Sequence, residues 1–313
     1  MKGLSDGKKA LLGFYAKYDT YLSAALKFGL AFFALYYLCR HMGYMEVMGQ
    51  IPLLVIIAAF CSFMAPNTLL LAGVVYLEGQ FYGCSLESAI VGGFFLLLFL
   101  LLYYTFIPQQ AYVIILTSLC ISLKLPLIVP VVCALLGGFG TITGILFGTG
   151  LYYAVLQLGK KPETAVGVGE ELLNRSMLLL QRLFAQEELI LMLVILSAVF
   201  LVVYLLHRLP VKYSWQIAAA AGILVYCLLV LMGAAVMAVK VSPVSMIPDV
   251  LLAAAAGMIV PFFCFRLDYK KVQYLQFEDD DYYYYVKAVP RLDRPDSEEH
   301  CLTAQEEEDY YLD

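Results

Sequence analysis

The sequence predicts an all-α membrane protein, a polytopic bundle of about eight transmembrane helices followed by a short cytoplasmic tail. Its apolar residues form long unbroken blocks, and the blocks at 189–206 and 217–238 contain no charged residue. A helix needs about 20 apolar residues to cross ~30 Å of hydrocarbon. Only 14% of the 313 residues are charged, whereas soluble domains carry about 25%. These observations favour a bilayer protein over a soluble one.

Eight apolar segments follow one another along the chain and are predicted to span the membrane. They are residues 21–39, 51–77, 89–107, 110–123, 127–158, 189–206, 214–238 and 246–265. The middle boundaries are ambiguous, so the count ranges from about seven to nine. We group the first five spans as one transmembrane bundle over 21–158 and the last three as a second bundle over 189–265.

The distribution of basic residues predicts the orientation. Residues 1–20 carry Lys2, Lys8, Lys9 and Lys17, and basic residues collect on the cytoplasmic side of membrane proteins. An even number of spans returns the chain to its starting side. We therefore predict a multi-pass protein of the cell membrane with both termini in the cytoplasm.

The segment 159–188 connects the two predicted bundles and has an amphipathic helical pattern. Leu173, Met177, Leu180 and Phe184 recur at helical spacing, with charged residues on the other faces. This pattern fits a helix lying at the membrane surface and equally a helix packed on the spans. The side of the membrane on which it lies stays open.

Two helix breaks are candidate substrate-path positions. Pro66, beside Asn67 and Thr68, falls within the second predicted span, and Lys124 with Pro126 separates the fourth from the fifth. A proline inside a span frees backbone carbonyls, and transporters use such breaks as binding sites. The alternatives are a kink tolerated by packing at Pro66 and a simple span end at Lys124.

Three glycines, Gly140, Gly144 and Gly148, recur every four residues on one helix face. Small residues at this spacing let two helix backbones approach closely. The pattern predicts a helix-packing face, either within the chain or between two copies of it in a homo-oligomer.

The sequence offers little for catalysis, and we predict no catalytic residue, no metal site and no cofactor. The three histidines and eight cysteines show no ligand spacing, and no nucleophile with a matched base is evident. The chain has no basic patch of the kind that binds nucleic acid. Asp249 is interpreted as an early-turn residue favoured by the N-terminal dipole of its own helix.

The tail, residues 266–313, is acidic and rich in tyrosine. Asp279, Asp280 and Asp281 precede Tyr282, Tyr283, Tyr284 and Tyr285. Tyrosine and valine favour extended chain, so we predict one short strand over 282–289, ended by Pro290. These acidic and tyrosine residues are the candidate docking element for a partner protein.

Several segments resemble a family of uncharacterised multi-spanning membrane proteins of clostridial Gram-positive bacteria. The resemblance spans most of the chain and is carried by FYAKY at 14–18, LKLP at 123–126 with Pro130, YY at 152–153, YSWQIA at 213–218 and, most specifically, QFEDDDYYYYVKAVP at 276–290. It implies the membrane architecture and supplies no activity.

These features lead to two functional hypotheses. The first is a non-enzymatic membrane subunit that anchors or scaffolds an envelope assembly through its cytoplasmic tail, whose strand would add to a partner's sheet edge. The alternative is a secondary transporter or permease subunit for an unidentified small solute, suggested by the broken helices. The expected partners are the lipid bilayer, proteins bound by the tail and a second copy of the chain.

Overall fold

The structure is a computed structural model, and it describes residues 2–42, 44–45, 48–160, 177, 179–183, 186–209, 214–237, 243–264, 273–278 and 283–288. The chain divides into two compact units, Met1–Phe263 and Cys264–Asp313. In the described part the first unit is helical, and the second contains a two-stranded sheet.

The helices that the structure bounds among the described residues are α1 (Lys2–Met42), α2 (Ile51–Phe63), α3 (Pro66–Cys84), α4 (Leu86–Phe106), α5 (Ala111–Ser122), α6 (Ile128–Leu136), α7 (Thr141–Leu158), α8 (Glu187–His207), α9 (Ser214–Met237) and α10 (Pro243–Cys264). Among the described residues, five helical stretches are long and apolar enough to cross a membrane: Tyr21–Met42, Leu86–Phe106, Thr141–Leu158, Leu179–His207 and Ser214–Ala235. This content fits a helical membrane protein. Many apolar side chains on these helices are exposed, among them Phe94 at 66% and Leu205 at 63%, as expected of surfaces that face lipid.

The predicted second span, 51–77, is two helices. α2 ends at Phe63, and Met64 and Ala65 are extended, with ψ of 175° and 155°. Proline disfavours a helical conformation in the residue before it and fits the first turn of a new helix, so α3 begins at Pro66. α3 then continues to Cys84, beyond the predicted end of the span at residue 77.

The predicted fifth span, 127–158, is also divided. α6 ends before Gly137, which is extended (φ −94°, ψ 174°), and α7 begins at Thr141. A Cβ on Gly137 would lie 2.7 Å from the Cys133 carbonyl oxygen. Only glycine fits this reversal without displacing the backbone, so the glycine-rich segment ends one helix and starts the next.

The buried side chains in the described part of the first unit form four groups: two small ones join α1 to α2 and α3, and two larger ones make up the rest of the core. One joins α6 to α8 and α9 through residues such as Val131, Phe200 and Ala218. The other joins α3, α4 and α7 through Phe81, Tyr103 and Leu158. α5 contributes to both groups, with Ile114 in the second and Ile121 in the first, and it therefore ties the two halves together.

The segment predicted as an amphipathic connector lies mostly outside the described residues. Within it, residues 179–183 are helical. Leu183 is buried in the same core group as Phe81 and Leu158, while Gln181 and Arg182 are exposed. This short part packs on the bundle; Leu173 and Phe184 lie outside the described residues.

The second unit contains an antiparallel hairpin in place of the single strand predicted over 282–289. β1 (Gln273–Glu278) pairs with β2 (Tyr283–Ala288), and Gln273 is opposite Ala288. The strand prediction is confirmed for Tyr283–Ala288. It missed β1, although Tyr274, Leu275 and Phe277 have side chains that favour strands.

Candidate functional site

A cavity of about 290 Å³ lies between α1, α3, α5 and α7. Aliphatic side chains form most of its wall, among them Leu35, Leu70, Val74 and Leu119. Its size approaches the lower end of the range for small-molecule sites, which are mostly apolar with a few polar groups. It therefore provides space for a small, largely apolar solute.

Hydroxyl groups line the cavity where α5 ends. The Tyr37 hydroxyl donates to the Ser122 carbonyl oxygen at 2.6 Å, and the Ser118 hydroxyl lies 2.8 Å from the Gly148 carbonyl oxygen. These bonds join α5 to α1 on one side and to α7 on the other. They hold the cavity wall together and place oxygen atoms along an otherwise apolar surface.

Two basic side chains stand at one end of the cavity. The His41 ring stacks on Tyr37 with centroids 4.0 Å apart, and Lys160 Nζ lies 3.0 Å from Gln157 Oε1. Both residues line the cavity and are exposed. Apolar residues such as Leu69 and Ile115 line the cavity away from these two side chains. The Lys160 ammonium group places one positive charge at this end, which suits an amphiphilic solute whose polar group bears a negative charge.

The loop after α1 borders the same end of the cavity. The Tyr44 hydroxyl donates to the carbonyl oxygen of Gly159, which lines the cavity. Burial, and secondarily the nearby Cys84 thiol, raise the pKa of Tyr44 above its usual range. The hydroxyl therefore stays protonated near neutral pH and remains a donor to α7.

Pro66, Asn67 and Thr68 do not line the cavity. The Thr68 hydroxyl donates to the Ala65 carbonyl oxygen at 2.6 Å and closes the first turn of α3. Asn67 Oδ1 accepts a hydrogen bond from the Tyr103 hydroxyl at 2.7 Å. Because Tyr103 belongs to the last turn of α4, the break lies beside the end of that helix.

Lys124 and Pro126 form the turn between α5 and α6. Lys124 has a positive φ of 62°, and the Leu125 and Lys124 amides donate to the carbonyl oxygens of Cys120 and Ile121 at 2.8 and 2.9 Å. This pair of bonds is the Schellman helix end, whose left-handed position is usually glycine. The Lys124 side chain is exposed and lies outside the cavity, while Pro126 is buried.

The glycine face of α7 lies against α5 within the chain. A Cβ on Gly148 would lie 2.7 Å from the Ile114 carbonyl oxygen, and one on Gly144 would lie 2.5 Å from Gln110 Oε1. The Gln110 side chain also donates to the Gly140 carbonyl oxygen at 2.8 Å. Gly144 and Gly148 thus allow the close approach of the two helices that form one wall of the cavity, whereas a Cβ on Gly140, just before α7, would make an ordinary contact at 3.5 Å.

Asp249 is buried, with 1% of its surface exposed, and contacts the turn between α5 and α6. Its Oδ1 accepts a hydrogen bond from the Leu127 amide at 3.2 Å, while Oδ2 has no hydrogen-bond partner among the described residues. Asp249 is the seventh residue of α10 and therefore lies beyond the first turn of that helix. Its hydrogen bond is to the amide at the N-terminus of α6. The sequence singles out Asp249, but the prediction that the N-terminus of its own helix stabilises it is wrong.

The candidate docking residues fall partly outside the described part. Asp279, Asp280, Asp281 and Tyr282 occupy the connection between the strands and are not described, while Tyr283, Tyr284 and Tyr285 belong to β2. Their backbones pair with Glu278, Phe277 and Gln276. One edge of each strand is thus engaged within the hairpin.

No group of three or more histidine, cysteine, aspartate or glutamate side chains among the described residues is arranged to hold a metal ion. No family model, curated protein or solved structure matches the chain. The cavity and Asp249 are therefore interpreted on their geometry alone.

The cavity itself was not predicted from sequence. Tyr37, Ser118 and Lys160 come from three helices that are far apart in sequence, and no local spacing links them. The nearest sequence signal was the break at Lys124 and Pro126, which predicts that α5 ends near residue 123; the predicted span 127–158 gave no sign that α6 is short.

Proposed function

We propose that the chain is a membrane permease or permease subunit that binds a small, largely apolar solute carrying a negative charge. The observation that supports this most directly is the cavity at the end of α5, with Tyr37 and Ser118 in its wall and His41 and Lys160 at its edge. A broken helix beside a cavity is the arrangement that transporters use to expose polar groups within a membrane.

In the proposed transmembrane topology, α1 and α2 cross the membrane in opposite directions. The Ser62 hydroxyl donates to the Ala24 carbonyl oxygen at 2.7 Å, and Cys39 Sγ lies 3.8 Å from the Gly49 carbonyl oxygen. Contacts at both ends of the helix pair support a crossing by α2 despite its 13 residues. The Tyr103 contact with Asn67 likewise supports opposite directions for α3 and α4.

α5 and α6 are proposed to form a re-entrant hairpin. Their 12 and nine residues correspond to about 18 and 14 Å, well below the ~30 Å of a bilayer core. The bond from Gln110 to the Gly140 carbonyl oxygen joins the start of α5 to the segment after α6. The end of α6 is therefore proposed to lie at about the same depth in the membrane as the start of α5.

With this hairpin, eight helices cross the membrane: α1–α4, α7 and α8–α10. Both ends of the membrane unit then lie on one face, which the lysines of residues 1–20 favour as cytoplasmic. α7 ends at the opposite face, so the exposed His41 and Lys160 edge of the cavity is proposed to open outside the cell.

Thiol labelling in intact cells tests this proposal. Ser118 lines the cavity, whereas its neighbour Thr117 is 1% exposed and does not line it. In a background with the eight native cysteines replaced, a membrane-impermeant methanethiosulfonate reagent added outside is expected to modify Ser118→Cys and to spare Thr117→Cys. A Ser118→Cys thiol that is sealed from both faces, in cells and in inverted vesicles, would contradict a solute path.

A second candidate function is docking through the tail, which the hairpin favours. A two-stranded sheet leaves an unpaired edge on each strand and is marginally stable alone, so a further strand from a partner would stabilise it. The acidic residues 279–281 at the connection favour a partner with basic residues beside its strand. This role is compatible with the permease proposal, as a subunit contact.

Deleting residues 273–313 removes both strands and tests the docking role. The expected result is loss of co-purifying native neighbours while the membrane unit still inserts. The point variant Val286→Pro removes a backbone donor within β2 and disrupts the strand, and it should cause the same loss without shortening the chain. Unchanged recovery of the neighbours with both variants would refute docking.

A further inference from the structure

Asp249 is the one acidic residue among the described residues that is almost fully buried. Its exposure is 1%, and it has no ion pair in the described part of the chain. A carboxylate in an apolar interior is costly unless it is paired or neutralised. One hydrogen bond from the Leu127 amide satisfies a single oxygen, and Oδ2 has no hydrogen-bond partner among the described residues.

The surroundings of Asp249 contain weak acids and no described basic group. The Tyr226 hydroxyl on α9 and the Cys120 thiol on α5 are close enough to interact with it electrostatically, and Cys133 on α6 interacts with Cys120. Ca²⁺ and Mg²⁺ prefer several oxygen ligands, softer metals are held by sets of thiolates and imidazoles, and the described residues provide no group of three or more such side chains arranged for a metal ion. A single proton is the ligand that this site can satisfy.

We propose that Asp249 is a proton-binding site that controls the turn between α5 and α6. A hydronium ion transfers its proton to Oδ2 and leaves water and a neutral carboxyl group. The Tyr226 hydroxyl is near enough to hydrogen-bond to this carboxyl group: it can donate to the ionised carboxylate and, after proton uptake, can rotate to accept from the new O–H. The turn connects Asp249 to the cavity. It follows Ser122, a cavity residue whose carbonyl oxygen accepts a hydrogen bond from the Tyr37 hydroxyl at 2.6 Å.

Proton uptake weakens the attachment of the turn. In the ionised state Asp249 places a negative charge at the N-terminus of α6, where the amide groups and the helix dipole favour it. Protonation converts a charge-assisted hydrogen bond to the Leu127 amide into a weaker neutral one. The turn is then free to move relative to α10. That this motion releases a solute rests on the proposed permease function.

Infrared difference spectroscopy of the full chain in lipid nanodiscs tests proton binding without any solute. Acidification of the wild-type protein is expected to produce a carbonyl band of a buried carboxylic acid. That band should be lost in Asp249→Asn, displaced in Tyr226→Phe and retained in Glu78→Gln. Glu78 is a matched control because its Oε2 is also buried and has no hydrogen-bond partner in the part of the chain that the structure describes. If Asp249→Asn fails to fold, Asp249→Glu should displace the band.

The movement of the turn is measured separately, with a spin label at Lys124→Cys, an exposed position. Wild-type protein should show greater label mobility at acidic pH, and Asp249→Asn should show that mobility at every pH. An infrared spectrum unchanged by Asp249→Asn would overturn the proton site, and a label insensitive to pH in the wild-type protein would overturn its control of the turn. Failure of the permease proposal alone would instead appear as a sealed Ser118→Cys thiol.

Discussion

The Tyr103 hydroxyl lies 2.7 Å from Asn67 Oδ1 and 2.9 Å from the Pro108 carbonyl oxygen. One buried side chain of α4 thereby links the start of α3 to the loop that precedes α5. Tyr103 is fully buried, and its single hydroxyl proton lies between these two acceptor oxygens, closer to that of Asn67. The link holds the first turn of α3, which begins at Pro66, beside the last turn of α4.

Tyr103→Phe is expected to destabilise the protein by about 1–3 kcal/mol, because it removes the hydroxyl donor from the half-buried Asn67 amide oxygen, the nearer of its two acceptors. Thermal unfolding of the purified protein in detergent measures the effect. Tyr104→Phe is the matched control, since Tyr104 is the next residue and is 47% exposed. Equal stability of the two variants would show that the Tyr103 bonds contribute nothing.

Lys124→Gly is expected to stabilise the protein by about 1 kcal/mol, because glycine adopts a positive φ without the Cβ strain that lysine carries. Lys124→Ala removes the same charge and keeps the Cβ, so it should leave stability close to that of the wild-type protein. Thermal unfolding of both variants separates backbone strain from charge. A stabilisation shared equally by both would point to the charge.

The sequence was informative about which segments are apolar and much less so about where helices end. The blocks at 189–206 and 217–238 are read correctly as helices, because uninterrupted apolar residues at span length leave little alternative. The sequence predicts an interruption beside Ala65 and a single span across Gly137, because a proline or glycine inside an apolar block fits both a kink and a complete break. The complete break at Pro66 is accompanied by a contact between Tyr103 and Asn67, which are 36 positions apart and so share no local sequence pattern.

The cavity was beyond sequence reasoning for a related reason. Its wall is made where α1, α3, α5 and α7 meet, and aliphatic residues that line a cavity have the same pattern as those that fill a core. Asp249 could be found as a charged residue in an apolar segment. Its contact with Leu127, 122 positions away in sequence, could not.

Gly148→Ala is expected to destabilise the protein by about 1–3 kcal/mol through overpacking. The added methyl group would lie 2.7 Å from both the Ile114 carbonyl oxygen and Thr117 Cβ, so α5 and α7 would have to separate. Gly150→Ala is two residues further along α7 and meets no atom within 4 Å, so helix propensity should make it neutral or slightly stabilising. Thermal unfolding compares the two, and an equal effect would contradict a close α5–α7 contact.

Gly73→Ile is expected to close the cavity without harming the fold. Gly73 lines the cavity on α3, and a Cβ there would meet no atom within 4 Å, so the larger side chain has space to occupy. Isoleucine is also somewhat better than glycine within a helix. The variant should therefore fold as well as the wild-type protein while filling the space that a solute would need.

The measurement is the rate at which the external methanethiosulfonate reagent modifies Ser118→Cys. With Gly73→Ile present, this rate should fall to that of the buried Thr117→Cys. Gly29→Ile is the matched control: a Cβ at Gly29 also meets no atom within 4 Å, but this glycine of α1 does not line the cavity. It should leave the labelling rate unchanged. If Gly73→Ile leaves Ser118→Cys fully reactive, the reagent reaches that thiol by another route, and the cavity is not the path by which a solute would enter.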